Sequence, residues 1–285
     1  MVAVDDLSSG HVGNLAEARG NGSRFTFASM DVRAEGFAAI VERHRPEIVY
    51  HLAARPPRRR VDPMEEGRMG VPGLLAVLGS AVKAGSRKVV FASSAAVYGA
   101  SRATLPLRES ALALGRPLTP YAISKKVAED YLRYYRRQGG LDFTSLVLAN
   151  VYGPRQYPKD GAGVVAVFAG KMLTEEQPEV FGKGDQTRDF LFVDDAVNAL
   201  ALARDGGSGR TINVGTGVET SVIGLYRMLA EIIGYPGEPL SGPMPDGDIH
   251  RSALDNELAE RELRWKPWTH LEDGLRETVA YLRTA

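Results

Sequence analysis

Tyr121 and Lys125, in TPYAISKK, stand four residues apart within a helical pattern, so their side chains share one face. An ammonium beside a phenol favours the phenolate and draws its pKa toward the working range of a general base. Ser94, in VVFASSAAVYG, ends an apolar run that reads as a parallel strand. Open α/β sheets bind ligands at the carboxyl ends of their strands. The Ser94 hydroxyl can therefore hydrogen-bond the substrate oxygen that Tyr121 deprotonates. A YxxxK spacing alone is a weak signal, and its bland reading is a surface tyrosine beside a solvated lysine. Joined to a strand-end serine upstream, it reads as a catalytic set.

These side chains need a frame. Apolar strand patterns at VAVD, RFTFA, EIVYHLAA, KVVFASS and FTSLVLANV alternate with helical patterns at AEGFAAIVERH, VPGLLAVLGSAVKAG and SKKVAEDYLRYYRR. Gly85 stands where a helix C-terminal cap is wanted. Such alternation predicts an α/β fold, a doubly wound parallel sheet with helices on both faces and right-handed crossovers. Past Asn150 the texture becomes richer in Gly and Pro and reads as a smaller α+β lobe. There Thr220 or Ser221 caps a helix that Gly234 stops, and Thr269 with Glu272 forms a capping box. The expected division is 1–155, with a returning segment near 187–204, and 156–285.

Composition excludes several classes. The chain has 285 residues, 44% apolar and 25% charged, with formal net charge zero, which argues against general affinity for nucleic acid or anionic membranes. Cysteine is absent, so disulfides, thiolate metal sites and cysteine nucleophiles are excluded, and a reducing cytoplasm fits. No apolar stretch reaches the roughly 18 residues of a membrane helix. His11, His44, His51, His250 and His270 show no metal-ligand spacing, so no metal site is expected.

The motifs DDLSSG, DVR at 31–33, HLAA, FASSAAVYG, YAISK, LANVYGPRQ, GKGDQTRDFLFVDD, INVGTG and RWKPWTHLEDGL run essentially end to end. Together they resemble the extended short-chain dehydrogenase/reductases, in their nucleotide-sugar epimerase/dehydratase branch. The resemblance implies a Rossmann-like sheet, tightly bound NAD and a nucleotide-sugar substrate, most simply a UDP-sugar. It also implies a homodimer formed by helices 70–84 and 121–137. Sugar dehydratases resemble TDE ahead of VYG, whereas this chain has Ser94, Ala95 and Ala96, with no acid to drive elimination. The SSAAVYG pattern instead resembles that of UDP-glucose 4-epimerases and their relatives. The implied reaction is 4-epimerisation through a transient 4-keto sugar, with Ser94, Tyr121 and Lys125 catalytic. Two other readings stay open. One is a dehydratase, a reductase or an epimerase at another carbon; the other is a non-catalytic binding protein without NAD.

The resemblance also assigns the cofactor. Asp5, followed by Asp6, matches the acid that accepts from the adenosine ribose and disfavours a 2′-phosphate; its other reading is a turn-forming aspartate. Asp31 and Val32 match the pair beside adenine. Leu52, Ala53 and Ala54 match the turn where backbone passes close to the cofactor, or else simple strand-end packing. Tyr121 and Lys125 serve the nicotinamide end. For the substrate, Asn150 and Arg188 match residues on the diphosphate, beside Ser94 on the sugar. Asp194 and Asp195 read as helix caps, and Tyr134, Tyr135, Trp265 and Trp268 as core or interface.

Four departures stand out. Gly70 replaces an asparagine, and Pro245 an arginine whose role Arg251 could take. The run RPPRRR at 55–60 is a solvated loop or a receiver of an anionic sugar. Finally, the glycine-rich turn expected about 20 residues ahead of such an acid does not precede Asp5. This predicts roughly 25–30 further native residues, and it predicts that the strands ending at Asp5 and near His51 lack a common neighbour.

Overall fold

A computed structural model describes residues 1–54, 63–101, 103–158, 163–245 and 248–284, with the backbone alone over 63–69. In chain order the elements begin β1 (Val2–Asp5), a short α1 (Ala16–Arg19), β2 (Thr26–Ser29), α2 (Glu35–His44), β3 (Ile48–His51) and α3 (Pro63–Ala84). They continue with β4 (Lys88–Ser94), α4 (Pro120–Gly139), β5 (Asp142–Leu148), β6 (Asn150–Tyr152), α5 (Val164–Leu173) and β7 (Glu179–Phe181). Then come β8 (Thr187–Arg188), β9 (Phe190–Phe192), α6 (Val193–Leu202), β10 (Arg210–Val214), β11 (Thr220–Ser221) and α7 (Val222–Ile233). Last are β12 (Leu240–Gly242), α8 (Glu257–Leu263) and α9 (Leu271–Leu282).

The central sheet is parallel, in the order β10-β5-β4-β3. Its middle strands are buried on both faces, as the near-continuous apolar runs of β4 and β5 require. β1 and β2 form a separate parallel pair, with Val2 opposite Thr26 and Asp5 opposite Ser29. No ladder joins β1 to β3 among the described residues, as expected for the strands ending at Asp5 and His51. Both lie over one apolar layer, because Val4 of β1 and Val49 of β3 pack with Phe37, Val41 and Val77.

The later half folds onto this sheet. β10 joins its edge beside β5, beyond the returning segment expected at 187–204. α6, α8 and the buried Trp265 pack into the same core as Val90, Leu146 and Ile212. A second core gathers Tyr152, Phe168, Phe190, Leu225 and Leu275 from β6, α5, β9, α7 and α9. β6 pairs with β9, β7 with β12 and β8 with β11.

Several local expectations hold: Ser221 Oγ accepts from the Gly224 N–H at 3.1 Å, and Gly85 and Gly234 take φ values of +75° and +81°, as left-handed caps do. Others are corrected. α3 starts at Pro63, ahead of the expected helix, and runs through Pro72. The N-cap of α9 is His270, without a side-chain cap bond, so the Thr269–Glu272 box does not form. The reason is that the Thr269 N–H, at 3.2 Å, and the Trp268 N–H, at 3.3 Å, are taken by the fully buried Asp195 carboxylate. Asp195 thus ties down the segment ahead of α9 instead of capping α6. Trp265 is core, donating its indole N–H to the Asp195 carbonyl at 2.9 Å, whereas Trp268 is 56% exposed.

Candidate active site

α4 presents Tyr121 and Lys125, the pair expected to be catalytic, because its start is well specified. Thr119 Oγ1 accepts from the Ala122 N–H at 3.1 Å, and Pro120 occupies the first turn, where its missing N–H costs nothing. Tyr121 follows at once, and Lys125 comes one turn later on the same face. Lys125 is buried. Its Nζ donates to the Ala92 carbonyl at 2.6 Å and lies 4.6 Å from the centre of the Phe91 ring and 5.7 Å from that of Tyr121. Burial draws its pKa down to about 8, against the opposing pull of Glu129. Its charge is therefore held by a carbonyl dipole, an aromatic face and a distant carboxylate.

The cavity around the pair is also lined by His51, Ala53, Gly70 and Ser124. Burial, reinforced by the Lys125 charge, pushes His51 down to about 3, so it stays neutral there. A Cβ at Gly70 would stand 2.6 Å from Ser124 Cβ. Position 70 therefore has no room for the asparagine side chain expected there.

A second cavity begins where the first ends. Asp5, Asp6, Asp31 and Val32 line it, with His51, Ala53 and Ala54 common to both. The fold thus gathers six of the expected cofactor residues into one pocket, while Leu52 is 52% exposed and does not line it. Asp5 Oδ1 accepts from the Leu7 N–H at 2.7 Å and Asp6 Oδ1 from that of Ser8 at 2.9 Å. The turn-forming role and the pocket position of Asp5 coexist. Asp31 accepts the Arg33 N–H at 2.7 Å and its Nε at 2.9 Å, and that fork holds its carboxyl below the ordinary range. Carboxylates at one end, a buried Lys–Tyr pair at the other and alanines between them fit the two ends of a dinucleotide.

Ser94 sits at the next step along β4. It ends the strand two residues past Ala92, and its Oγ accepts from the Ala96 N–H at 3.2 Å. It is not among the residues lining the Tyr121–Lys125 cavity. Its neighbour Ala95 lines a cleft of about 640 Å³, together with Gly99, Thr104, His250, Arg251 and Ser252. Ala95 and Ala96 bring no acid to that junction.

Asn150 is exposed at the start of β6, where its backbone N–H and its Nδ2 donate to the Asp189 carbonyl at 2.9 and 3.1 Å. Arg188 is held by Asp248 at 2.6 Å, by the Ile249 carbonyl at 2.6 Å and by its neighbour's carbonyl at 2.8 Å. Burial lowers its pKa while Asp248 opposes that shift. Arg251 forks onto Glu219, with Nε at 2.8 Å. Pro245 is described but offers no donor; the RPPRRR run lies outside the described residues.

Sequence reasoning missed three contributors. His51 walls both cavities, although in HLAA it reads as the end of a strand. Asp189, 1% exposed, accepts from Thr216 N and Oγ1, Gly217 N and Leu254 N between 2.6 and 3.1 Å. It ties the chain just after Arg188 to the GTG turn and to Leu254. Asp248 emerged only as the partner of Arg188. Nothing in spacing pairs positions 60 residues apart.

Comparison with known proteins identifies the family. Residues 1–215 match the model of the NAD dependent epimerase/dehydratase family. The UDP-glucose 4-epimerase of Mycolicibacterium smegmatis is 40% identical over 287 residues, covering 99% of this chain and 90% of that protein. The UDP-glucose 4-epimerase of Thermotoga maritima, solved with UDP-glucose, superposes with a TM-score of 0.93 at 38% identity, over 99% of this chain and 90% of that one. That of Thermus thermophilus, solved with NAD, gives 0.90 at 32% identity, over 100% and 91%. This chain belongs to the NAD dependent epimerase/dehydratase family.

Proposed function

We propose that this chain is an NAD-dependent nucleotide-sugar 4-epimerase, most simply interconverting UDP-glucose and UDP-galactose. The observation that carries the reading is the buried Lys125 beside Tyr121, bonded through Ala92 to the strand that ends at Ser94, with alanines where elimination would need an acid. The likeness to UDP-glucose 4-epimerases over nearly the whole chain supports it.

Bound NAD supplies the hydride acceptor and donor. Tyr121 takes the proton of the sugar 4-hydroxyl and returns it to the same oxygen, Ser94 hydrogen-bonds that oxygen, and Lys125 stabilises the phenolate and reaches the cofactor ribose. Asp5 and Asp31 hold the adenosine end, where an acid favours NAD over NADP. Asn150 and Arg188 hold the substrate diphosphate. Arg188 then exchanges Asp248 for phosphate oxygens, which its planar fork suits.

In this reading residues 1–155 bind the cofactor, together with 187–204, and 156–285 bind the substrate. Val82 on α3 and Ile123, Val127 and Tyr134 on α4 leave apolar surface exposed, which supports a homodimer through these helices. Replacing Ile123 and Tyr134 with arginine halves the mass seen by light scattering; an unchanged mass rejects this interface. A cysteine-free chain without a helix long and apolar enough to cross a membrane, among the described residues, is in keeping with the cytoplasm.

Incubation with UDP-glucose, UDP-glucuronate and dTDP-glucose in turn, with chromatographic identification of products, tests the activity. UDP-galactose from the first supports the proposal. A 4-keto-6-deoxy sugar, a decarboxylated product or no turnover with NAD present rejects it.

A further inference from the structure

α4 carries a third ionisable side chain on the face of Tyr121 and Lys125. Glu129 lies one turn past Lys125 and is only 6% exposed. Burying a carboxylate inside a sheet–helix layer is costly unless hydrogen bonds and opposite charge compensate. Here the compensation is specific. Ser145 Oγ on β5 donates to Oε1 at 2.5 Å, and Thr211 Oγ1 on β10 donates to Oε2. Both oxygens accept from hydroxyls, the pattern of an ionised carboxylate.

Lys125 has the complementary problem. Its hydrogen-bond acceptor is a neutral carbonyl and its close neighbour an aromatic face, yet the family chemistry needs an ammonium. From β3 the neutral His51 faces it, from β4 Phe91 and Ala92, and from α4 itself Tyr121 and Glu129. Around Glu129 the facing groups are Ser93 of β4, Ser145 of β5, Thr211 of β10 and, along α4, Arg133. Among these groups Glu129 is the one anion available to the lysine.

We propose that Glu129 is a positioning residue whose buried carboxylate keeps Lys125 cationic, and so keeps Tyr121 competent as a base. This rests on the epimerase reading for its purpose, but its physical content, a charge coupling along α4, stands apart from any substrate. Burial raises the Glu129 pKa while the Ser145 and Thr211 hydroxyls lower it. The two hydroxyls oppose the effect of burial without cancelling it.

The test reads the lysine directly. The Lys125 Cε resonance, assigned by its loss in Lys125→Arg, is followed by carbon NMR against pH in the wild type, Glu129→Gln and Glu129→Asp. The expected midpoint falls by about one pH unit or more in Glu129→Gln, so the ratio of neutral amine to ammonium rises about tenfold, and returns toward the wild type in Glu129→Asp. An unchanged midpoint in a folded Glu129→Gln overturns the proposal. The wild type gives a second reading should that variant not fold: the Glu129 side-chain carboxyl carbon must report an ionised group near neutral pH, and a protonated one overturns the proposal. Neither measurement uses turnover, so loss of the epimerase reading leaves both readable.

Discussion

The Lys125 ammonium hydrogen-bonds the Ala92 carbonyl at 2.6 Å, joining the helix that carries the proposed base to the strand that ends at Ser94. That bond joins α4 to β4 beside the apolar packing of Ala128 and Leu132 against Val89 and Phe91.

Tyr121→Phe keeps the ring and the helix and removes only the phenolic oxygen. Epimerisation of UDP-glucose should fall about 10²- to 10⁴-fold, the usual contribution of a positioned acid/base group. Circular dichroism should be unchanged. Residual activity within tenfold of the wild type would assign the proton transfer elsewhere.

His51 should make the protein acid-sensitive. Burial lowers its folded pKa to about 3, against an ordinary value of 6.5. Between these values the unfolded chain binds a proton that the folded chain refuses, so stability falls as the pH drops through that window. The loss approaches roughly 4 kcal/mol at its acid end. Denaturant midpoints measured from neutral pH downward should decline less steeply in His51→Gln; parallel curves would contradict this.

Two glycines of α3 should respond oppositely to a methyl group. Gly70→Ala forces a Cβ to 2.6 Å from Ser124 Cβ and should destabilise by about 1–3 kcal/mol. At Gly79 the nearest atom to a built Cβ is the Tyr135 hydroxyl at 3.9 Å, so Gly79→Ala should gain up to about 1 kcal/mol of helix propensity. Thermal melts of the two variants decide, and a shift in the same direction for both rejects the steric account.

Arg188→Lys keeps the charge and loses the fork that spans Asp248 and the Ile249 carbonyl. If the guanidinium receives the substrate diphosphate, KM for UDP-glucose should rise about tenfold or more with a smaller change in kcat. An unchanged KM would confine Arg188 to a structural ion pair.

What the sequence revealed and what it hid divide along a physical line. Strands such as KVVFASS and the Tyr121–Lys125 spacing were legible because local periodicity specifies them. So were Asp5, Asp31, Ala53 and Ala54, whose motifs carry the family resemblance. Contacts made across the fold were not. Asp195 looked like a cap for its own helix, yet it takes N–H groups from residues more than 70 positions away. The crowding at Gly70 likewise depends on how closely α3 passes Ser124, a distance that no residue pattern encodes.

The core that holds Val90 and Leu146 is completed by Trp265, Leu263 and Leu254 from the last part of the chain. Whatever residues 156–285 do for substrate choice, they are not a detachable module. Cleaving between the halves should leave two unfolding fragments, not a cofactor domain and a sugar domain. A new specificity in this chain has to arise by local substitution around the cleft, because exchanging the later half wholesale would also remove the outer strand and the indole that close the first.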